Sequence, residues 1–347
     1  MRPIGPGRLA LVALAFCGCE RLATGPAVTS SREARGITLV DWSASGYASP
    51  AAADAIAALA ATGANTAVII VTGYQDDRGS GRVRADDPRT PTPAAVQSAI
   101  ARALDMGLRV ALKPHVDLDD GSWRGGIEPR DPAAWFAAYR DFIVPWAALA
   151  QASGVDQFVV GTELAGTVGD EASWREAIRA VRDVFSGTVL YAASWDEAAR
   201  VPFWSDLDRV GIDFYFPVAA RNHPGRLEIL AAWQPWLERL QLLHRQTGKP
   251  ILLTEVGYRS VDGAGMAPYA YDRAAALDLG EQADLYWAAL EATGDQPWID
   301  GLWWWDWPAD GSGGPQDPGY TARGKPAALE LESAWGSVSS AGKLAAP

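Results

Sequence analysis

Cysteine is nearly absent from this chain: 347 residues contain two, Cys17 and Cys19. An internal disulfide is therefore excluded from everything beyond residue 19, and the folded part must draw its stability from its core. Histidine is almost as scarce, with His115, His223 and His244 the only three. A catalytic zinc site wants three ligands, usually with more than one histidine, and these three stand in separate contexts, so no metal is expected. No run of Lys and Arg occurs, and the formal net charge is −12 with a pI near 4.8. A phosphate backbone needs clustered cations, which excludes nucleic acid as a partner. The apolar stretch from Leu9 to Phe16 is too short to cross a bilayer as a helix, and no repeat of solenoid type is visible.

Arg2 and Arg8 precede that stretch, so it reads as an export signal that is either removed or lipid-anchored. Gly18-Cys19 at its end resembles the cleavage site of a bacterial lipoprotein, which makes Cys19 the candidate lipidation site. The alternative is a plain secretory signal whose cysteines are lost on cleavage. The chain divides into a signal (1–19), a polar linker (20–35), a catalytic domain (36–335) and a flexible tail (336–347). From Gly36 onward 347 − 35 = 312 residues remain, enough for one barrel of about 250 residues with extended loops. Membrane contact is expected only through the lipid, and the domain is expected to be a monomer.

What is plentiful is the alternation of apolar runs with helix signals. Strands are predicted at Ile37 to Trp42, Thr66 to Thr72, Arg109 to His115, Gln157 to Glu163, Thr188 to Trp195, Val210 to Tyr215, Pro250 to Glu255 and Ile299 to Trp305. Most are continuous runs of Val, Ile, Leu and aromatics, as in parallel strands buried on both faces. Ser49-Pro50, Thr92-Pro93 and Asp131-Pro132 each pair an N-cap residue with proline at the first helical position. Gly63, Gly107, Gly154, Gly187 and Gly248 stand where C-cap glycines belong. A doubly wound sheet would want a Gly-rich phosphate turn after its first strand, and Asp41-Trp42-Ser43 is not one. The expectation is a single (β/α)8 TIM barrel with extended βα loops.

Two of these runs end in a carboxylate, Glu163 on the fourth and Glu255 on the seventh. In a barrel these strand ends face one another across the mouth, where such folds keep their active sites. Paired carboxylates there point to glycoside hydrolysis, by retention if the groups lie about 5 to 5.5 Å apart. Sixteen Trp and ten Tyr supply apolar faces on which sugars can lie, although for any single Trp a packing role is the plainer reading. Tyr215, at the end of the sixth strand beside the seventh, is a candidate hydroxyl donor to Glu255, the alternative being a core aromatic with its hydroxyl at the rim. His115 reads as a sugar contact or an orienter of Glu163. Trp305, at the end of the eighth strand, is a candidate substrate contact, while Trp123 and Arg124 are candidates for the rim of the cleft or for a structural loop anchor. Asp117, Asp119 and Asp120 lack the glycine and glutamate register of a calcium loop and read as a solvated turn.

The segments Leu112-Lys113-Pro114-His115-Val116-Asp117, Trp123-Arg124-Gly125, Gly161-Thr162-Glu163-Leu164, Glu255-Val256-Gly257-Tyr258-Arg259-Ser260 and Trp303-Trp304-Trp305-Asp306 together resemble glycoside hydrolase family 113, a clan A family typified by β-mannanases. The likeness runs from about residue 36 to 330. It implies Glu163 as general acid/base, Glu255 as nucleophile, Trp305 as the floor of the subsite beside the scissile bond, a mannan-type β-1,4-linked substrate and no cofactor. The wider clan usually has Asn before the acid/base; here that position is Thr162, a candidate substrate contact, and the departure leaves open how the sugar 2-hydroxyl is held. The rival readings are a clan A hydrolase of glucan or galactan, and a non-catalytic surface carbohydrate-binding barrel.

Overall fold

The computed structural model describes residues 34–343. The export signal, Cys19 and most of the 20–35 linker fall outside the described residues. Eight strands form a closed parallel barrel in chain order: β1 (Ala34–Val40), β2 (Thr66–Gln75), β3 (Arg109–Leu118), β4 (Gln157–Thr162), β5 (Thr188–Ser194), β6 (Arg209–Phe214), β7 (Ile251–Val256) and β8 (Ile299–Pro308). The helices are α1 (Pro50–Ala61), α2 (Pro93–Asp105), α3 (Pro132–Ala152), α4 (Glu171–Arg182), α5 (Arg226–Ala232), α6 (Gln234–Thr247), α7 (Leu279–Gly294) and α8 (Pro326–Lys343).

Local chemistry sets these boundaries. Ser49, Thr92 and Asp131 accept the amides of Ala52, Ala95 and Ala134, each with proline at the head of the helix. Gly63, Gly107, Gly154 and Gly248 turn the chain out of its helices at φ of 68 to 86°, a region that costs an L-residue with a Cβ. Gly187 differs from its expected role, because its φ is not positive. A Cβ there would lie 2.8 Å from the Asp156 carbonyl oxygen, so the position needs smallness rather than left-handedness.

Three further features differ from the sequence reading. The link between β5 and β6 carries no α-helix, only two 3-10 turns at Ala198–Arg200 and Trp204–Asp206. Helix α8 continues past Trp335, where the composition suggests a loose tail. Strand β1 starts at Ala34, inside the expected linker: Ala34 pairs with Gly301 and Arg35 with Leu302.

The barrel interior is a small cluster of Ala34, Val68, Ala111, Val159, Leu190, Ala192 and Leu252 around one large side chain, Trp303. Trp303 fits because its neighbours are small. A Cβ on Gly36 would stand 2.1 Å from the indole Cδ1. The larger core lies between the strands and the helices, where Trp304 stacks on Tyr286 of α7 with ring centroids 3.8 Å apart. Trp303 inward and Trp304 outward is the alternation a strand imposes, and it carries Trp305 toward the mouth.

Candidate active site

The carboxyl ends of β4 and β7 open on the mouth of the barrel, and each delivers a glutamate in its own environment. Strand β4 stops at Thr162, so Glu163 is the first residue beyond it and takes a positive φ of 52°. Few residues other than glycine or asparagine adopt that conformation, and it recurs where function demands it. Pairing between β4 and β5 shifts register between Val159 and Thr162, which re-aims the end of the strand. The Glu163 carboxylate accepts Trp123 Nε1 at 3.3 Å, and the Arg124 guanidinium stands 3.8 Å away. Burial and the charge of Glu255 push its pKa up against the pull of Arg124 and Lys113, which favours the protonated form.

Glu255 is held from both sides. Lys113 Nζ donates to Oε1 at 2.5 Å, and the Tyr215 hydroxyl donates to Oε2 at 2.7 Å. Burial and the Glu255 charge raise the Tyr215 pKa well above the ordinary phenol value, so Tyr215 stays a donor. His115 Nε2 lies 3.6 Å from Glu255 Oε1. Burial holds its imidazole neutral, and its ring stacks on Trp305 with centroids 5.9 Å apart. Lys113 also donates to both Asp213 oxygens at 3.0 and 3.2 Å and to the Thr254 carbonyl. Lys113 and Asp213 are both 0 % exposed; a buried lysine of this kind is tolerable only with such partners. Burial and Glu255 push Asp213 up, while Lys113 pulls it down and Thr254 Oγ1 donates to it at 2.7 Å.

Two carboxyl groups thus share a cleft, one with its pKa pushed up and the other gripped by a cation and a phenol. Comparison with known proteins gives the family. The profile of Glycoside Hydrolase Family 113 matches residues 40–325. The chain belongs to glycoside hydrolase family 113. It is therefore a glycoside hydrolase on a clan A barrel. Two solved structures of the family resemble it at a TM-score of 0.81. One is a β-mannanase from Alicyclobacillus acidocaldarius in complex with ManMIm, 28 % identical over 88 % of this chain and 97 % of that one. The other, described as a β-1,4-mannanase complex, is 26 % identical over 88 % of this chain and 99 % of that one. A β-glucuronidase from Ruminococcus gnavus, 12 % identical over 87 % of this chain and 49 % of that one at TM-score 0.58, shares the fold alone. A comparison with curated protein sequences gives no match.

In this family 113 enzyme the structure brings Glu163, Glu255, His115, Tyr215, Trp305, Trp123 and Arg124 to one mouth. It does not bring Thr162. That side chain is 1 % exposed and its hydroxyl donates to the Pro114 carbonyl at 3.1 Å, so it ties β3 to β4 rather than waiting for a sugar hydroxyl. Trp123 is 48 % exposed and folds over Gly125, where a Cβ would collide with its ring. Arg124 is committed to Asp117 at 2.6 Å as well as facing Glu163.

Sequence reasoning missed Lys113 and Asp213 as site residues. The signal was present: each is a charge inside an apolar run of a strand buried on both faces, and each therefore requires a partner. The acidic turn after β3 is also less solvated than its composition suggests, since Asp119 pairs with Arg84 and Arg89. His223 likewise has company, lying with Asp262, Asp278 and Glu281 within 4.8 Å of one another. Both Glu281 oxygens accept amides of Gly263 and Gly265, and Asp278 caps α7. This cluster pins the loop after β7 to the head of α7.

Proposed function

We propose that the enzyme is a retaining β-glycoside hydrolase of β-1,4-mannan-type polysaccharides and their oligosaccharides, with Glu255 as nucleophile and Glu163 as general acid/base. The observation that carries the division of labour is the contrast between the two environments. Lys113 and Tyr215, each donating to one carboxylate oxygen, hold Glu255 in the orientation that attack on the anomeric carbon requires. Burial beside Glu255 favours the protonated Glu163 that must give its proton to the departing glycosidic oxygen. In the second step Glu163, now a carboxylate, takes a proton from water as that water displaces Glu255 from the anomeric carbon.

Mannan is the proposed substrate because both family neighbours are described as β-mannanases. The half-exposed Trp123 and the Trp305–His115 stack supply flat faces for sugar rings. Reducing-end release from mannan, glucan and galactan tests this; release from glucan or galactan without release from mannan would overturn the specificity. Export and lipidation at Cys19 complete the reading. Membrane fractionation of the full chain beside a Cys19→Ala variant tests them, and a wild type found only in the soluble fraction would contradict the anchor.

A further inference from the structure

We propose that Tyr191 and Glu197 are positioning residues for the acid/base, holding the Glu163–Leu164 peptide so that the Glu163 carboxyl faces the cleft. The inference rests on the role given to Glu163 above. Glu163 is the first residue past β4 and sits at φ 52°, a backbone state that persists only where its surroundings over-determine it. Both amides flanking that residue are tied to β5. Glu163 N donates to the Ala192 carbonyl at 2.8 Å, and Leu164 N donates to the Tyr191 hydroxyl at 2.9 Å. The hydroxyl can accept from Leu164 with a fixed geometry because its own hydrogen has a destination, Glu197 Oε1 at 2.5 Å.

The surroundings are shaped for this contact. A Cβ on Gly161 would meet the Tyr191 ring at 2.7 Å and the Trp174 ring at 2.6 Å, so glycine in Gly161-Thr162-Glu163 is what admits the tyrosine beneath the strand. Trp174 and Phe203 flank that ring at centroid distances of 5.2 and 5.4 Å. Glu197 is 0 % exposed, and its second oxygen has no hydrogen-bond partner. Packing alone does not demand a carboxyl at so buried a position, where an apolar side chain would serve. What the carboxyl supplies is an acceptor that fixes the tyrosine hydroxyl. Burial pushes Glu197 up to about 8, so near neutral pH it accepts this bond without adding a charge behind Glu163.

The test separates positioning of an acid from packing. Turnover of a β-1,4-manno-oligosaccharide, whose leaving group needs protonation, is compared with that of a dinitrophenyl β-mannoside, whose leaving group does not. Tyr191→Phe should lower kcat/KM, which reports the first displacement, by about tenfold on the oligosaccharide and by less than about twofold on the aryl glycoside, because in that step general acid catalysis matters only for the oligosaccharide. Glu197→Leu should do the same, and Glu197→Gln, which keeps an acceptor for the hydroxyl, should lose less than Glu197→Leu. If Tyr191→Phe fails to fold, Glu197→Leu carries the comparison with the tyrosine in place. Equal losses on both substrates, or no loss on either, would overturn the proposal. Glu163→Gln run in parallel distinguishes two failures: leaving-group dependence there but not in Tyr191→Phe sinks the pair alone, and none in Glu163→Gln sinks the acid/base assignment together with the pair.

Discussion

Replacing Lys113 by Met removes the ammonium that touches both Asp213 and Glu255 while keeping most of the stem volume. Lys113 contributes donors at 3.0 and 3.2 Å to Asp213, 2.5 Å to Glu255 and 3.4 Å to the Thr254 carbonyl, all out of water. Deleting one partner of a buried ion pair leaves an uncompensated charge, a loss of about 3–5 kcal/mol. At about 2–4 °C per kcal/mol, the value for somewhat smaller domains, the melting temperature should fall by roughly 6–20 °C. The deficit should depend on pH in a defined direction. Asp213 is already pushed up by burial and Glu255, and Lys113 is the group that pulls it down. Without that pull its folded-state pKa rises further above the unfolded value. Stability in the variant is then fullest below the unfolded carboxylate pKa and is lost as pH rises through the folded one. Thermal unfolding across pH should therefore show the gap between variant and wild type closing toward pH 4. The double variant Lys113→Met with Asp213→Asn should recover part of the loss at neutral pH, because the amide carries no charge. A single variant within about 1 kcal/mol of wild type, well below the usual cost of orphaning a buried charge, would refute the reasoning. So would a double variant no more stable than the single one.

The roles of the two glutamates separate by leaving group: Glu255→Ala should abolish turnover on every substrate, whereas Glu163→Ala should spare activated aryl glycosides and respond to azide in the second step. Equal loss in both variants on all leaving groups would reverse or void the assignment. Gly36→Ala puts a methyl 2.1 Å from Trp303 Cδ1 and should cost about 1–3 kcal/mol by overpacking, read as a fall in denaturation midpoint. Removal of residues 1–33 should leave an active domain, while removal of 1–36 should lower its melting temperature, because Ala34 is buried beside Trp303 and Ala34 and Gly36 pair with β8; equal melting temperatures would contradict this.

The eight strands were legible because each is buried on both faces and so reads as an apolar run, and each glutamate was legible because it ends one. Tyr215 could be placed beside Glu255 for the same reason, since neighbouring strands in chain order are neighbours in the barrel. Lys113 and Asp213 were visible as anomalies but not as a pair. They are 100 positions apart, and their meeting depends on side chains crossing the barrel interior, which strand order alone does not specify. Thr162 was misjudged because a hydroxyl at a strand end can face the cleft or the wall, and a register shift at β4 decides which. The helix-free link from β5 to β6 was hidden because its apolar residues, Val201 and Phe203 flanking the 3-10 turns and Trp204 within one, pack against the core as they would from a helix. Ala34 was assigned to the linker because one small residue carries no pattern, and only the presence of Trp303 gives it a place.

The central claim is double displacement through Glu255. Proton NMR of the first products released from a β-1,4-manno-oligosaccharide tests it most directly, read before the anomers equilibrate. Retention, with the β-anomer appearing first, is the result predicted for carboxyl groups about 5 to 5.5 Å apart on opposite sides of the scissile bond. Initial release of the α-anomer would mean that water, not Glu255, attacks the sugar.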